Sequence, residues 1–152
     1  MSVRMVNIHH KPIVYRQAVA IGEIRLKPET ITRIRNGEVE KGDPKQIAVI
    51  AGIQGAKLTP RLLPLCHPLP LENVDVEVTV KSTSVEVKAK VAASAKTGVE
   101  MEALTAVSAA LLTIWDVVKM YEKTPDGQYP FTQISNIRVL RKMKHEPPSR
   151  EA

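Results

Sequence analysis

Two stretches in the middle of the chain alternate strictly between apolar and polar positions. Val74, Val76, Val78 and Val80 are separated by Asp75, Glu77 and Thr79. After a polar turn at 81–84, Val85, Val87, Ala89 and Val91 are separated by Glu86, Lys88 and Lys90. A period of two puts every valine of a strand on one face, so the pattern predicts an antiparallel hairpin with one buried side. Earlier, from Arg16 to Leu26, alternation places Ala18, Ala20, Gly22, Ile24 and Leu26 together and predicts another strand. Ile134 to Leu140 reads as the last one.

Between the strands the spacing changes to that of helices. Pro28 and Glu29 suit a first helical turn, Ile31 and Ile34 share a face, and Gly37 supplies a stop. Asp43-Pro44 repeats the start signal, with Gln46 completing a capping-box-like pattern. The helix that follows, from Pro44 to Lys57, carries Ala48, Ala51, Gly52, Gly55 and Ala56, a density of small residues that predicts close packing on another backbone. Thr59-Pro60 reads as a new cap-plus-proline start for a short turn ended by Pro64. The segment from Leu65 to Leu71, with Pro68 and Pro70, is predicted as a stiff loop. Thr97-Gly98-Val99-Glu100 resembles a capping box before the longest helix, Val99 to Lys123, whose stripe is Leu104, Val107, Leu111, Ile114 and Val118.

The order strand, helices, strand, strand, helix, strand is that of a ferredoxin-like α+β domain, an antiparallel sheet with helices packed on one face. A single catalytic domain over residues 1–142 is expected, followed by a flexible tail over 143–152 that contains Pro147-Pro148.

Composition narrows the chemistry. Hydrophobic residues make up 43% and charged residues 25% of the 152, an ordinary globular balance. The uncharged apolar run from Ala103 stops at Asp116, short of a bilayer's thickness, and residues 1–7 contain no apolar signal core. A lone cysteine suits a reducing compartment. The expectation is therefore a cytoplasmic domain without a membrane partner. The net charge of +6 favours an anionic partner, either nucleic acid or a phosphorylated small molecule. A basic ferredoxin-like domain is also the plan of an RNA-binding module, which stands as the alternative reading. Such a module displays aromatic residues on its middle strands, and the two alternating hairpin strands have none. No nucleic-acid partner is expected.

Cys66-His67 invites a test for zinc. Structural zinc needs four Cys or His ligands, with cysteines usually paired, and the only other candidates are His9, His10 and His145. The ligand count argues against a metal site. His67 reads either as a loop histidine bonded to backbone or as a ligand-facing residue held by the flanking prolines. On the long helix, Glu100 is explained by the capping box and Glu102 by the helix dipole. Asp116 and Lys119 are either an ordinary surface pair or a partly buried acid beside a lysine, suited to proton transfer. Lys41, beside Gly42, is either a solvated loop lysine or a phosphate-neutralising one. Glu100 and Asp116 lie about 24 Å apart along one helix, too far for one small-molecule pocket within a chain. If both matter, a second subunit must complete the site.

The segments Lys41-Gly42-Asp43, Ile50-Ala51-Gly52-Ile53-Gln54, Leu63-Pro64-Leu65-Cys66-His67-Pro68-Leu69 and Lys96-Thr97-Gly98-Val99-Glu100-Met101-Glu102-Ala103-Leu104-Thr105-Ala106, with Asp116-x-x-Lys119, resemble the MoaC family. These are the cyclic pyranopterin monophosphate synthases of molybdenum-cofactor biosynthesis. The likeness runs from about Met5 to Lys142. Departures are Asn7, where many members have Asp, and Gly55 and Leu58 in place of Ala and Arg.

The resemblance implies a lyase that rearranges a cyclised dihydro-GTP, its ribose C3′ joined to purine C8, into cyclic pyranopterin monophosphate with release of pyrophosphate. No organic cofactor is implied, and magnesium would enter only with the substrate triphosphate. By matching position, Asp116 would be the acid/base, with Lys119 and Lys41 as catalytic partners. Leu65, Cys66, His67, Met101 and Glu102 would line the substrate site, joined by Lys57, Glu100, Arg16 and Lys142. The family's assembly, a homohexamer built as a trimer of dimers with sites at the dimer interface, and its partner, a radical enzyme supplying the substrate, would follow.

Overall fold

A computed structural model describes residues 1–145. The chain runs β1 (Val14–Arg25), α1 (Pro28–Asn36), α2 (Pro44–Leu62), β2 (Leu71–Val80), β3 (Ser84–Ala95), α3 (Glu100–Glu122) and β4 (Gln133–His145). All strand pairs are antiparallel and the sheet order is β2-β3-β1-β4. This is the ferredoxin-like arrangement expected from the order of elements. The register joins the alternating faces, with Val78 opposite Val87, Val76 opposite Ala89 and Ala20 opposite Ala89 from the other side. Ala18, Ala20, Ile24, Val87, Ala89 and Val91 are fully buried beneath the helices.

The helical layer is close-packed because α2 presents glycine to its neighbours. A Cβ at Gly55 would stand 2.8 Å from the Ala109 Cβ and 3.2 Å from the Thr105 carbonyl oxygen. At Gly52 it would stand 2.9 Å from Val76. The small-residue pattern thus seats α2 against α3 and β2. On the other side, Val107, Leu111, Ile114 and Val118 of α3 are buried over the sheet. By length and composition α3 is the one described helix that could cross a bilayer, yet half of its apolar window is buried in this core.

Three local expectations are corrected. Pro60 does not begin a new turn; it lies inside α2, which continues to Leu62. The Thr59 hydroxyl donates back to the Gly55 carbonyl at 3.0 Å, as within a helix, rather than capping a new one. Helix packing outweighs the local proline penalty so near the end, and Leu63, extended before Pro64, then stops the helix. No capping box opens α3. Its N-cap is Val99 without a side-chain hydrogen bond, and Glu100 is the first helical residue rather than the third beyond a Thr97 cap. Finally, β4 continues past Leu140 and Lys142 to His145, because its backbone still pairs with β1 out to Tyr15. Residues 143–145 of the expected tail therefore belong to the sheet, and Pro147-Pro148 lie outside the described residues.

Candidate active site at the two ends of one helix

The site residues gather at opposite ends of α3. At its C-terminal end, Asp116 and Lys119 sit one turn apart, with Lys119 Nζ 2.9 Å from Asp116 Oδ1. Antiparallel packing brings the start of α2 to the same place. The loop before it delivers Lys41, whose ammonium donates to the Asp116 backbone carbonyl at 3.1 Å and lies 3.7 Å from Oδ2. Asp43, the N-cap of α2, accepts from the Lys45 N–H at 3.0 Å and fixes the end of that loop.

Of the two readings left open for Asp116, the partly buried one does not hold within the chain. Its side chain is 61% exposed within the chain. Trp115, Val117 and Val118 turn to other faces of the helix, since each residue rotates by about 100°. Trp115 instead packs edge-to-face on Tyr129. The ammonium of Lys119, and secondarily that of Lys41, holds the Asp116 carboxyl below the usual carboxylate range. Asp116 in turn raises Lys119. The arrangement is one ionised acid flanked by two cations, able to exchange protons and attract phosphate.

At the N-terminal end Glu102 sits in different surroundings. Glu102 is 1% exposed, and its Oε2 is the acceptor of a long contact, 3.8 Å, from the Cys66 thiol. Its Oε1 has no partner among the described residues. Burial is the main cause that pushes the Glu102 carboxyl upward, and burial followed by the Glu102 charge raises Cys66. The place of Glu102 in the first turn of α3 fits the helix-dipole reading, and its own backbone N–H acts to lower the carboxyl, but burial outweighs this. Glu102 also closes a cavity of about 250 Å³ whose wall includes Lys57, Pro60 and Leu69.

Glu100 turns toward β4, where Lys142 Nζ lies 3.4 Å from Oε1. Its carboxylate folds over Gly98, where any side chain would collide with it. Arg16 is nearly buried, and its guanidinium donates to the Ala95 and Lys96 carbonyls at 3.1 and 3.4 Å, fixing the segment that leads into α3. Leu65, Cys66, His67 and Met101 line a cleft of about 750 Å³ between this segment and the turn after α2. That turn is closed by the Cys66 N–H on the Leu63 carbonyl.

The same cleft reveals residues that sequence reasoning did not place there. Arg4, His10 and Lys11 form its far wall, and Lys96 donates to the His9 carbonyl at 3.2 Å to hold that strandless segment. Only a concentration of basic residues before the first strand hinted at them. One chain therefore unites Leu65, Cys66, His67, Met101, Glu100, Glu102, Arg16, Lys57 and Lys142 around one end of α3. It unites Asp116, Lys119 and Lys41 at the other, and does not bring the two sets together.

Fold and site define a ferredoxin-like α+β domain that carries acid–base and anion-attracting groups at both ends of its core helix. The model of the MoaC family matches residues 5–145. The probable cyclic pyranopterin monophosphate synthase of Sulfurisphaera tokodaii is 57% identical over 143 residues, 94% of this chain and 95% of that protein. Those of Thermococcus kodakarensis and Pyrococcus abyssi are 56% and 54% identical, covering 95% and 94% of this chain and 93% and 90% of theirs. The chain belongs to the MoaC family. Nothing in these likenesses supports the RNA-binding alternative.

Proposed function

We propose that the chain is a cyclic pyranopterin monophosphate synthase, a lyase acting on a cyclised dihydro-GTP in molybdenum-cofactor biosynthesis and releasing pyrophosphate. The observation that carries the mechanistic part is the Asp116 carboxylate held between Lys119 and Lys41. Opening the purine five-membered ring, building the pterin and closing the cyclic phosphate all need proton transfers beside a highly charged phosphate chain. Asp116 serves as acid/base. Lys119 and Lys41 supply protons and neutralise developing negative charge. The cleft of Cys66, His67 and Met101 holds the substrate, with Glu100, Glu102, Lys57, Arg16 and Lys142 around it. The protein works in the cytoplasm on substrate delivered by a radical enzyme.

The helix length supports a shared site. The two residue sets cannot meet inside one chain, so in this reading the acid–lysine end of one subunit faces the cleft of the next, within a hexamer built from dimers. An isologous contact makes two equal sites per pair. Purified chain supplied with the cyclised dihydro-GTP should yield pyrophosphate and pterin product, and absence of turnover on authentic substrate defeats the assignment. Mixing inactive Asp116→Asn subunits with inactive His67→Ala subunits should restore roughly a quarter of wild-type activity after exchange. No recovery under conditions of proven exchange would place each site within one chain.

A further inference from the structure

Lys41 reaches Asp116 from a loop, and a loop lysine is a fixed charge only if its backbone is fixed. Residues 37–43 connect α1 to α2. They are anchored at the start by Gly37, whose left-handed conformation closes α1 (φ 68°), and at the end by the Asp43 cap. Between these, Val39 is buried in the core. The residue next to Lys41 has its own tether: the Glu40 N–H donates to the Tyr121 hydroxyl oxygen at 2.9 Å. Tyr121 stands on α3 two positions beyond Lys119, half-buried against the core. The Arg33 guanidinium of α1 lies 4.6 Å above the centre of its ring. One side chain thus touches α1, the loop and α3.

The geometry points to Tyr121 as a positioning residue for Lys41: its hydroxyl fixes the backbone at Glu40 and so aims the Lys41 ammonium at Asp116, while Arg33 steadies the ring. The inference rests on the reading that Lys41 and Asp116 act in the reaction. A half-exposed lysine has wide rotamer freedom, and its 3.1 Å bond to the Asp116 carbonyl survives only while the loop stays close. A phenolic oxygen is well suited to the tether because it can accept from backbone and still donate outward. The cation above the ring adds a second restraint from outside the loop. None of these contacts involves Tyr121 touching the Asp116–Lys119 pair directly, so its action passes through Glu40 and Lys41.

The test compares Tyr121→Phe, Arg33→Gln, Lys41→Ala and the double variant Tyr121→Phe/Lys41→Ala, with thermal midpoints measured for each. Tyr121→Phe keeps the ring and removes the acceptor. It should lower kcat roughly three- to tenfold while KM stays within about twofold, the scale of one lost neutral hydrogen bond acting on position. The Asp116 carboxyl, followed by NMR, should titrate at higher pH than in wild type, moving toward its position in Lys41→Ala, because one of its two cations has loosened. In the Lys41→Ala background the phenylalanine should add almost nothing. Arg33→Gln, an exposed substitution, should act in the same direction with a smaller effect, and carries the test if Tyr121→Phe melts early. Unchanged kcat and Asp116 titration in Tyr121→Phe, beside a collapsed Lys41→Ala, would overturn the proposal alone. So would an equal loss in both backgrounds. Wild-type turnover in Lys41→Ala would overturn the catalytic reading of Lys41 itself, and the proposal with it.

Discussion

Two carboxylates near opposite ends of α3, Glu102 and Asp116, sit in opposite surroundings. At the N-terminal end Glu102 is enclosed by protein, with one oxygen unpartnered among the described residues, and burial raises its affinity for a proton. At the C-terminal end Asp116 stands in solvent between two ammonium groups, which lower that affinity. One helix therefore carries a carboxyl whose proton affinity is raised by burial and another whose proton affinity is lowered by neighbouring cations. Desolvation dominates at Glu102, and charge dominates at Asp116.

That contrast can be broken at either end. Asp116→Asn and Lys119→Ala should each lower turnover by at least roughly a hundredfold while the thermal midpoint stays near wild type, because both side chains are exposed. Wild-type-like rates in either would return that residue to a solvated helix face. A control at the same end is Glu122, whose buried carboxylate accepts from the hydroxyls of Thr30 and Thr132 and from the Lys27 N–H. Glu122→Ala should destabilise the fold by roughly 2–4 kcal/mol in denaturant titrations, since buried donors lose a charged acceptor. A loss of activity without a loss of stability there would mean that the C-terminal end is coupled to chemistry beyond Asp116 and the lysines.

Gly55→Ala tests the spacing on which both ends depend. Its Cβ would crowd Ala109 and Thr105, so α2 must move off α3 at a cost of about 1–3 kcal/mol, measurable by thermal unfolding. The smallest effect belongs to Glu102→Gln. Below the ordinary carboxylate range Glu102 is protonated in both folded and unfolded chains, and its burial costs little. As pH rises, the unfolded chain releases the proton first, and stability is lost through the raised folded-state range. Glu102→Gln should therefore be more stable than wild type at neutral and alkaline pH, with the gain vanishing in acid. A gain that is independent of pH would refute the buried-acid description.

Much of this was legible in the residues themselves. Period-two alternation at 74–80 and 85–91 marked β2 and β3, because a strand packed on one face must bury every second side chain. Glycine and alanine in α2 announced a close helix contact, and the MoaC-like segments singled out candidate site residues before any geometry was known. Local signals failed where several of them competed. Pro60 resembles a helix start, but α2 runs through it. Glu100 fits a capping box, but its carboxylate is turned to Lys142, 42 positions away. The apolar letters around Asp116 suggested burial, yet adjacent helical residues point in different directions.

Sequence alone determined the order of elements, the faces they bury and the distance along α3 that keeps Asp116 away from Glu100. These follow from backbone geometry and from the repeating spacing of side chains, both of which are local. Only the tertiary structure decided that Glu102 and Glu122 are buried while Asp116 is exposed within the chain, and that Tyr121 holds the loop carrying Lys41. Those are contacts between residues distant in the chain, and the free energy of a carboxylate depends on what surrounds it rather than on its neighbours in sequence.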